Sequence, residues 1–535
     1  MTPFLTRLLI SLVALAGFVV LATANAVGYR YGLDDQLGYL PALLRALDPT
    51  LFPRDDVLID AQGSLMLFDQ LLAVAVRLTG VSLPMLMLCG YILSLSLMLG
   101  AGVAFARPFL ASGWSVAAFC TILTLRHRIA ETSTNTLEGY FHPRVLAFAL
   151  GIAALVVAVN GLRAKRGRPP SSETDAAENE DCPRFPSRLL ASSLVALMLV
   201  LAAGLIHPLT GLWFAIWLWV ALWVNEPRLR GPLAVVGLTC AVGAVWALAV
   251  GPLAHRLTRV DPAWAGVIAV KDYLFPARWP AEIWILHFGG VFLILLTWLV
   301  RRRRGLAHAH EAGVVAGCLA LVAMFLLSLP FIEARIALAV QLQTSRVFWT
   351  VDFLATLYVV WWLTEGARRG RPRLVFAAVL LFSVARGFYI MNMERPGGRT
   401  FAQVDVAPGP WRDAGLWLRA HTARDAYLLA DPDHAWKYGA NLRLTAQRDV
   451  FVERMKDTAF AIFARDVASR VGERLAATRY FTSLNETALL RLARRYDLDY
   501  LLTDRKLALP AVYRNRRFHI YDLHRARGQA IRRGH

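Results

Sequence analysis

Two neighbouring carboxylates, Asp34 and Asp35, stand in the segment YRYGLDDQLGYLPALLRALDPTLFPRDD (Tyr29 to Asp56), directly after the first long apolar run of the chain. A carboxylate placed there can take the proton from a hydroxyl or amine as that group attacks. An unpaired acid where membrane meets water is expensive, so the pair marks a site. The plainer reading is that LDDQLGYLPALL opens a surface helix and one Asp caps it. A second set of groups suits an anion: His142 and Arg144 in EGYFHPRVL, His207 in IHPLTG, Arg335 in SLPFIEARI and Arg346 in QLQTSRVFW, all at the ends of apolar runs. Each has a structural alternative. His142 precedes Pro143 and suits a helix cap, Arg144 has Glu138 within reach, His207 sits in a tight turn, and Glu333 is close enough to pair with Arg335. Asp48, Asp55 and Asp56 lie in proline-punctuated DPTLFPRDD and read as turn residues.

The elements that must position these groups are membrane helices. Of 535 residues, 57% are apolar and only 18% charged, which excludes an ordinary soluble protein. The net charge of +20 does not mark a nucleic-acid binder. Its basic residues cluster as RAKRGR (Arg163 to Arg168), RRRR (Arg301 to Arg304) and RRGRPR (Arg368 to Arg373), between apolar runs, as cytoplasmic anchors do. Five cysteines show no CxxC or Cys/His spacing, and His308 and His310 in AHAHE lie away from the acids, so neither a disulfide nor a metal site is expected.

Windows of roughly 20 apolar residues predict about eleven transmembrane helices near Leu8–Ala26, Leu83–Phe105, Phe109–Leu125, Val145–Leu162, Leu189–Ile206, Leu209–Val224, Pro232–Val250, Ile283–Val300, Gly313–Phe331, Val347–Leu363 and Leu374–Met391. Ser64 to Thr79 is short and carries Asp69, Gln70 and Arg77. Counting it as a span would put the basic runs outside, so it reads as an amphipathic surface helix in an outer loop over 28–82. The N-terminus is then cytoplasmic, the loop over 163–187 is a cytoplasmic disordered stretch, and the acids share the outer face with the interfacial His and Arg residues. A transmembrane domain over 1–393 gives way to a soluble outer domain over 394–535. There Asp425–Ala430, Asp449–Val452, Tyr500–Thr503 and Phe518–Leu523 read as strands and Asn485–Tyr496 as a capped helix, which is a small α/β domain. It has no phosphate loop and no nucleophile elbow.

This layout resembles the GT-C superfamily of membrane glycosyltransferases, such as the protein O-mannosyltransferases and the aminoarabinose transferases acting on lipid A. The acidic motif after the first helix, the surface helix in the first outer loop and the outer C-terminal domain carry the resemblance. More narrowly, DDQLGYLP, EGYFHPRVLAFAL, IHPLTGLW and DYLLTDR with FHIYDL look like bacterial membrane proteins of GT-C type. The resemblance implies an inverting transfer of a sugar from a polyprenyl-phosphate donor to a glycan, lipid or protein acceptor at the outer, periplasmic face of a bacterial inner membrane, with no cofactor. Asp35 or Asp34 would be the base, with Asp35 favoured. Arg144, His142, His207, Arg335 and Arg346 would bind the phosphate. A lipid-linked glycan transporter and a non-catalytic scaffold in envelope assembly are the alternatives; the absence of repeat symmetry counts against transport.

Overall fold

The computed structural model describes residues 3–63, 66–163, 184–367, 370–393 and 400–532. The chain forms two compact units. One comprises Met1–Gly28, Gly90–Arg259 and Asp272–Phe401, and the other Tyr29–Cys89, Val260–Lys271 and Ala402–His535. The expected disordered loop lies largely outside the described residues, as does Cys182.

Each apolar run of the sequence forms a helix. Among the described residues, nine helical segments are long and apolar enough to cross a membrane: Leu5–Asn25, Leu83–Ala106, Pro143–Gly161, Pro208–Asn225, Pro227–Ala249, Ala281–Arg303, Glu311–Glu333, Ala337–Gly366 and Pro372–Met393. Two further apolar helices, Gly113–Leu123 and Ala191–Ile206, are shorter. The first is trimmed at both ends by hydroxyls. Ser112 Oγ caps it by accepting from Trp114 N (3.2 Å), and Thr124 Oγ1 turns back onto Thr121 O (2.6 Å). The chain is thus a multi-pass α-helical membrane protein. Its helix Arg230–Ala249 buries no residue at all, although it is apolar throughout, which suits a surface solvated by lipid.

The membrane unit is held by aromatic packing. Phe148 stacks on Trp349 with ring centroids 3.9 Å apart, and Phe214 stacks on Trp217, whose indole donates to Val314 O (2.8 Å). At one end, Arg301 is a buried ion-pair partner and not a solvated anchor: its Nε and Nη2 meet Glu311 at 2.8 and 3.2 Å, and Tyr358 donates to the same carboxylate at 2.8 Å.

In the second unit the first loop supplies helices Gln36–Leu47, Asp56–Gly63 and Phe68–Thr79. The expected surface helix begins at Phe68, whose ring meets Tyr39 edge-on at 5.5 Å, and it stops at Gly80, whose φ of +67° provides the left-handed cap. The C-terminal segment builds a five-stranded sheet in the spatial order Asp449–Val450, Tyr427–Ala430, Tyr500–Thr503, His519–Asp522, Ala511–Arg514. The first three strands are parallel and need crossovers, which helices including Arg465–Ala477 and Glu486–Tyr496 supply. The last two run antiparallel. The strand Ala511–Arg514 was not anticipated: it follows Pro510 and leads into RNRR, the composition of an edge. Asn485 caps its helix as expected, accepting from Ala488 N (2.9 Å).

One buried network fastens the first loop to the C-terminal segment within this unit. Arg443, 1% exposed, donates from Nε to Asp55 Oδ2 (2.8 Å) and from Nη1 and Nη2 to Asp457 (2.7 and 3.1 Å). Arg470 Nη2 reaches the other Asp55 oxygen at 2.6 Å. Asp55 is therefore structural, as its turn context indicated. Removing one partner of such a network strands buried charge, so Arg443→Leu should destabilise this unit by about 3–5 kcal/mol. Arg443→Lys, which keeps the charge and loses the two-pronged geometry, should lie between. Thermal unfolding of the detergent-solubilised chain with limited proteolysis checks both, and an unchanged melting profile for Arg443→Leu would show that the network is dispensable.

Candidate functional site

The two acids stand where the first loop turns into a helix. Asp34 has φ +48°, a left-handed conformation that Asp tolerates better than most residues. Asp35 occupies the N-cap position of Gln36–Leu47, yet its side chain makes no cap bond to the helix. Both carboxylates turn to one lysine: Lys456 Nζ donates to Asp35 Oδ1 at 2.8 Å and to Asp34 Oδ1 at 3.1 Å. The lysine is almost fully buried, whereas the Asp34 and Asp35 side chains are 50% and 41% exposed. Burial alone would push the ammonium down, but Asp35 and Asp34 outweigh it and hold Lys456 above the ordinary lysine range. Lys271, which donates to Met455 O (3.0 Å), is pushed down by burial and by Lys456.

Lys456 is fixed by its own helix, Arg454–Phe460. Glu453 caps that helix through Met455 N (3.0 Å) and Lys456 N (2.8 Å), and Asp457, the next residue, holds Arg443. The buried network and the cation under the acids therefore sit side by side in the chain. No feature of VERMKDTAF marks Lys456 from sequence.

The anion-binding candidates lie in the membrane unit, and most of them converge. Arg144, His207 and Arg346 line one narrow cavity with Thr210, Trp349 and Thr350. Arg144 Nη2 pairs with buried Glu138 at 3.2 Å, the partner anticipated for it, and Arg126 lies 3.7 Å from the same carboxylate. His142 Nδ1 accepts from Arg144 N (3.0 Å) and His207 Nδ1 accepts from Thr210 N (3.3 Å), so both histidines cap helices, with ring centroids 6.4 Å apart. Burial, then His142 and the arginines 144 and 346, push the His207 imidazole well below its ordinary range, so it is neutral near pH 7. Arg346 lies over the Tyr273 ring at 5.3 Å. Arg335 is exposed, has φ +56°, forms no ion pair with Glu333, and does not line this cavity.

The loop between Arg126 and Pro143 is built for this position. A short hairpin pairs Arg128–Ile129 with Thr134–Asn135, and Gly139 passes so close to Ala26 O and Gly28 O that a Cβ would lie 2.6 and 2.8 Å from them. Two polar groups in the spans escaped the sequence reading. Asp352, in Phe348–Trp361, meets His127 Nε2 with both oxygens at 2.9 Å. Arg386, in Pro372–Met393, donates to Asn25 Oδ1 (2.8 Å) and Arg126 O (3.0 Å). A single charge inside an apolar run was the signal for both. Among the described residues, no cluster of three or more His, Cys, Asp or Glu side chains is arranged to hold a metal.

These elements describe a multi-pass α-helical membrane protein with a second unit that carries a five-stranded mixed sheet. Among solved structures, the chain is similar to the oligosaccharyltransferase of Archaeoglobus fulgidus, both in the apo form and tethered with an acceptor peptide containing the NVT sequon (TM-score 0.44, 13% identity, 92% of this chain and 69% of that chain in each case). The form with zinc and sulfate gives a TM-score of 0.40 at 12% identity, over 92% of this chain and 67% of that one. At such scores and identities the likeness assigns no role to a side chain. No family model and no curated protein matches.

Three acids of the second unit bear on its behaviour near neutrality. Burial is the main cause that pushes Asp69, Asp449 and Glu453 up to about 7; Asp55 adds to it for Asp449 and Asp457 for Glu453. Their folded values exceed the ordinary carboxylate value of about 4. Their contribution to stability is therefore full below about 4 and is lost as pH rises through about 7. For Asp55, burial opposes ionisation but Arg443 and Arg470 outweigh it, so its contribution is present above the ordinary value and lost in acid. The unit should accordingly melt higher at pH 5 to 6 than at pH 8, and Asp449→Asn should reduce that difference. Melting temperature against pH for the two proteins checks this; a flat profile would contradict it.

Proposed function

We propose that this protein is a membrane glycosyltransferase that moves a sugar from a polyprenyl-phosphate donor to an acceptor hydroxyl or amine at the outer face of a bacterial inner membrane. The observation that carries the reading is the half-exposed acid pair held by a buried lysine. Lys456 holds both carboxylates in place while about half of their surface stays exposed, as a general base needs in order to reach an acceptor. Asp35, with the shorter bond to the lysine, takes the acceptor's proton as the acceptor oxygen or nitrogen bonds to the sugar carbon. The bond from that carbon to the phosphate oxygen breaks, and the lipid phosphate leaves with the electron pair. Asp34 shares the lysine and keeps the second carboxylate charge near the incoming acceptor.

A lipid-linked phosphate is bound by donors placed beforehand. Within the membrane unit, taken by itself, Arg144 and Arg346 supply guanidinium groups at one cavity, and neutral His207 adds a hydrogen-bonding ring. Glu138 orients Arg144 and also meets Arg126. Arg335, exposed and outside the cavity, is given no part. Cationic side chains take the charge that develops on the phosphate.

A well-placed general base contributes about two to four orders of magnitude in rate. Asp35→Asn should lower turnover by that range, with Asp34→Asn less affected. Lys456→Met should lower turnover as well, because both carboxylates lose the group that holds them in place. The assay compares the surface glycans of cells carrying each variant with those of a deletion strain, at matched membrane levels. Restoration of the deletion's glycan change by both Asp34→Asn and Asp35→Asn would exclude carboxylate catalysis.

A further inference from the structure

The pair His127 and Asp352 has no part in the transfer as described, yet its placement is costly. Asp352 lies in the second turn of Phe348–Trp361, surrounded in sequence by FWTV and FLATLYVVW. An acid in a membrane span needs a partner, and His127 provides one with its Nε2 at 2.9 Å from both oxygens. Burial works against the charged imidazole, but the Asp352 bond outweighs it and raises His127 above its ordinary range. The pair is nevertheless open, with side chains 43% and 29% exposed. A carboxylate has about four lone-pair directions, and one imidazole nitrogen cannot fill them.

The surroundings of the pair have the composition of a hydroxyl-recognising site. His127, Asp352, Thr136 and Thr356 line a cleft of about 10 Å³ whose apolar wall includes Trp349 and Phe353, so a sugar ring would meet the half-open pair at the mouth and not inside. Trp349 also lines the neighbouring cavity of Arg144, His207 and Arg346. One indole thus separates a cationic site from a site of carboxylate, imidazole and hydroxyl groups. A glycosyl phosphate presents the same sequence of groups: an anion, then a ring bearing adjacent hydroxyls.

We propose that His127 and Asp352 form the subsite for the donor's sugar, with the Asp352 carboxylate accepting hydrogen bonds from ring hydroxyls at the cavity mouth and His127 fixing that carboxylate in place. This rests on the glycosyltransferase reading and adds to it the group that selects the sugar. The phosphate cavity holds every polyprenyl phosphate alike, and the pair beyond Trp349 distinguishes among the sugars attached. Asp352 touches the substrate in this account; His127 is a positioning residue.

The test uses the full chain in lipid nanodiscs and two probes, polyprenyl phosphate and polyprenyl phosphate bearing a single hexose or pentose, with a panel of sugars. The wild type should bind one sugar-bearing lipid more tightly than the bare lipid. Asp352→Asn should lower that preference about tenfold, the scale of losing hydrogen bonds to a charged group, and leave the affinity for bare lipid phosphate unchanged. His127→Gln should lower it less and broaden the range of sugars accepted. Thr356→Val probes the same wall without altering a charge, which keeps the test valid if Asp352→Asn does not fold. Preference left intact in the variants, or both lipids weakened equally, would overturn the subsite. If the wild type binds neither lipid, the glycosyltransferase reading itself fails, and the subsite with it.

Discussion

The second unit depends on one guanidinium. Arg443 is enclosed between Asp55 of the first loop and Asp457 of the C-terminal segment, and it also donates to Val450 O (3.2 Å) in the sheet's edge strand. A buried cation is tolerable only where its donors are matched by acceptors, and a planar fork matches two carboxylates better than an ammonium would. Because the acceptors come from segments 388 and 14 residues away in the chain, satisfying the arginine fixes the first loop against the C-terminal fold. The C-terminal segment is thus not packed on its own. It completes the loop that bears the acids.

The consequence for Asp34 and Asp35 follows from adjacency in the chain. Asp457 anchors Arg443, Lys456 precedes it, and Glu453 caps the same short helix. A helix of seven residues has little stability alone and depends on such tertiary bonds. The cation that meets the acids is therefore positioned by the network that holds the unit together. It reaches the acids as a side chain already almost wholly desolvated, which strengthens its interaction with them relative to a surface pair.

How much of this could be read from the sequence depends on the range of each interaction. The spans were legible because a run of about 20 apolar residues needs no partner to be recognised. The acid pair stood out by its place after the first span, and all four predicted strands and the Asn485 cap by local pattern; the fifth strand, Ala511–Arg514 at the edge, was masked by its arginines. Lys456 was not legible, since its partners are 421 and 422 positions away and its own helix is too short for a periodic pattern. Asp352 and Arg386 were legible in principle, as lone charges in apolar runs, but treating the spans as nearly uncharged concealed them. His142 and His207 show the converse: position alone suggested ligands, and the backbone bonds show that both also cap the helices that follow them.

Charge compensation in the membrane unit is uneven in an informative way. Asp352 is matched by His127, and Arg386 is held by the neutral acceptors of Asn25 and Arg126. Glu138 serves two arginines, Arg144 at 3.2 Å and Arg126 at 3.7 Å, and Arg346 lies over the Tyr273 ring with its Nε 3.4 Å from Thr132 O. Replacing a buried ion pair by apolar residues of similar volume is often neutral or stabilising, so such pairs add little to stability by themselves. Arginines kept at a small, poorly hydrated cavity are therefore better explained by what they attract than by what they stabilise, because a guanidinium there acts on an anion more strongly than the same group in water.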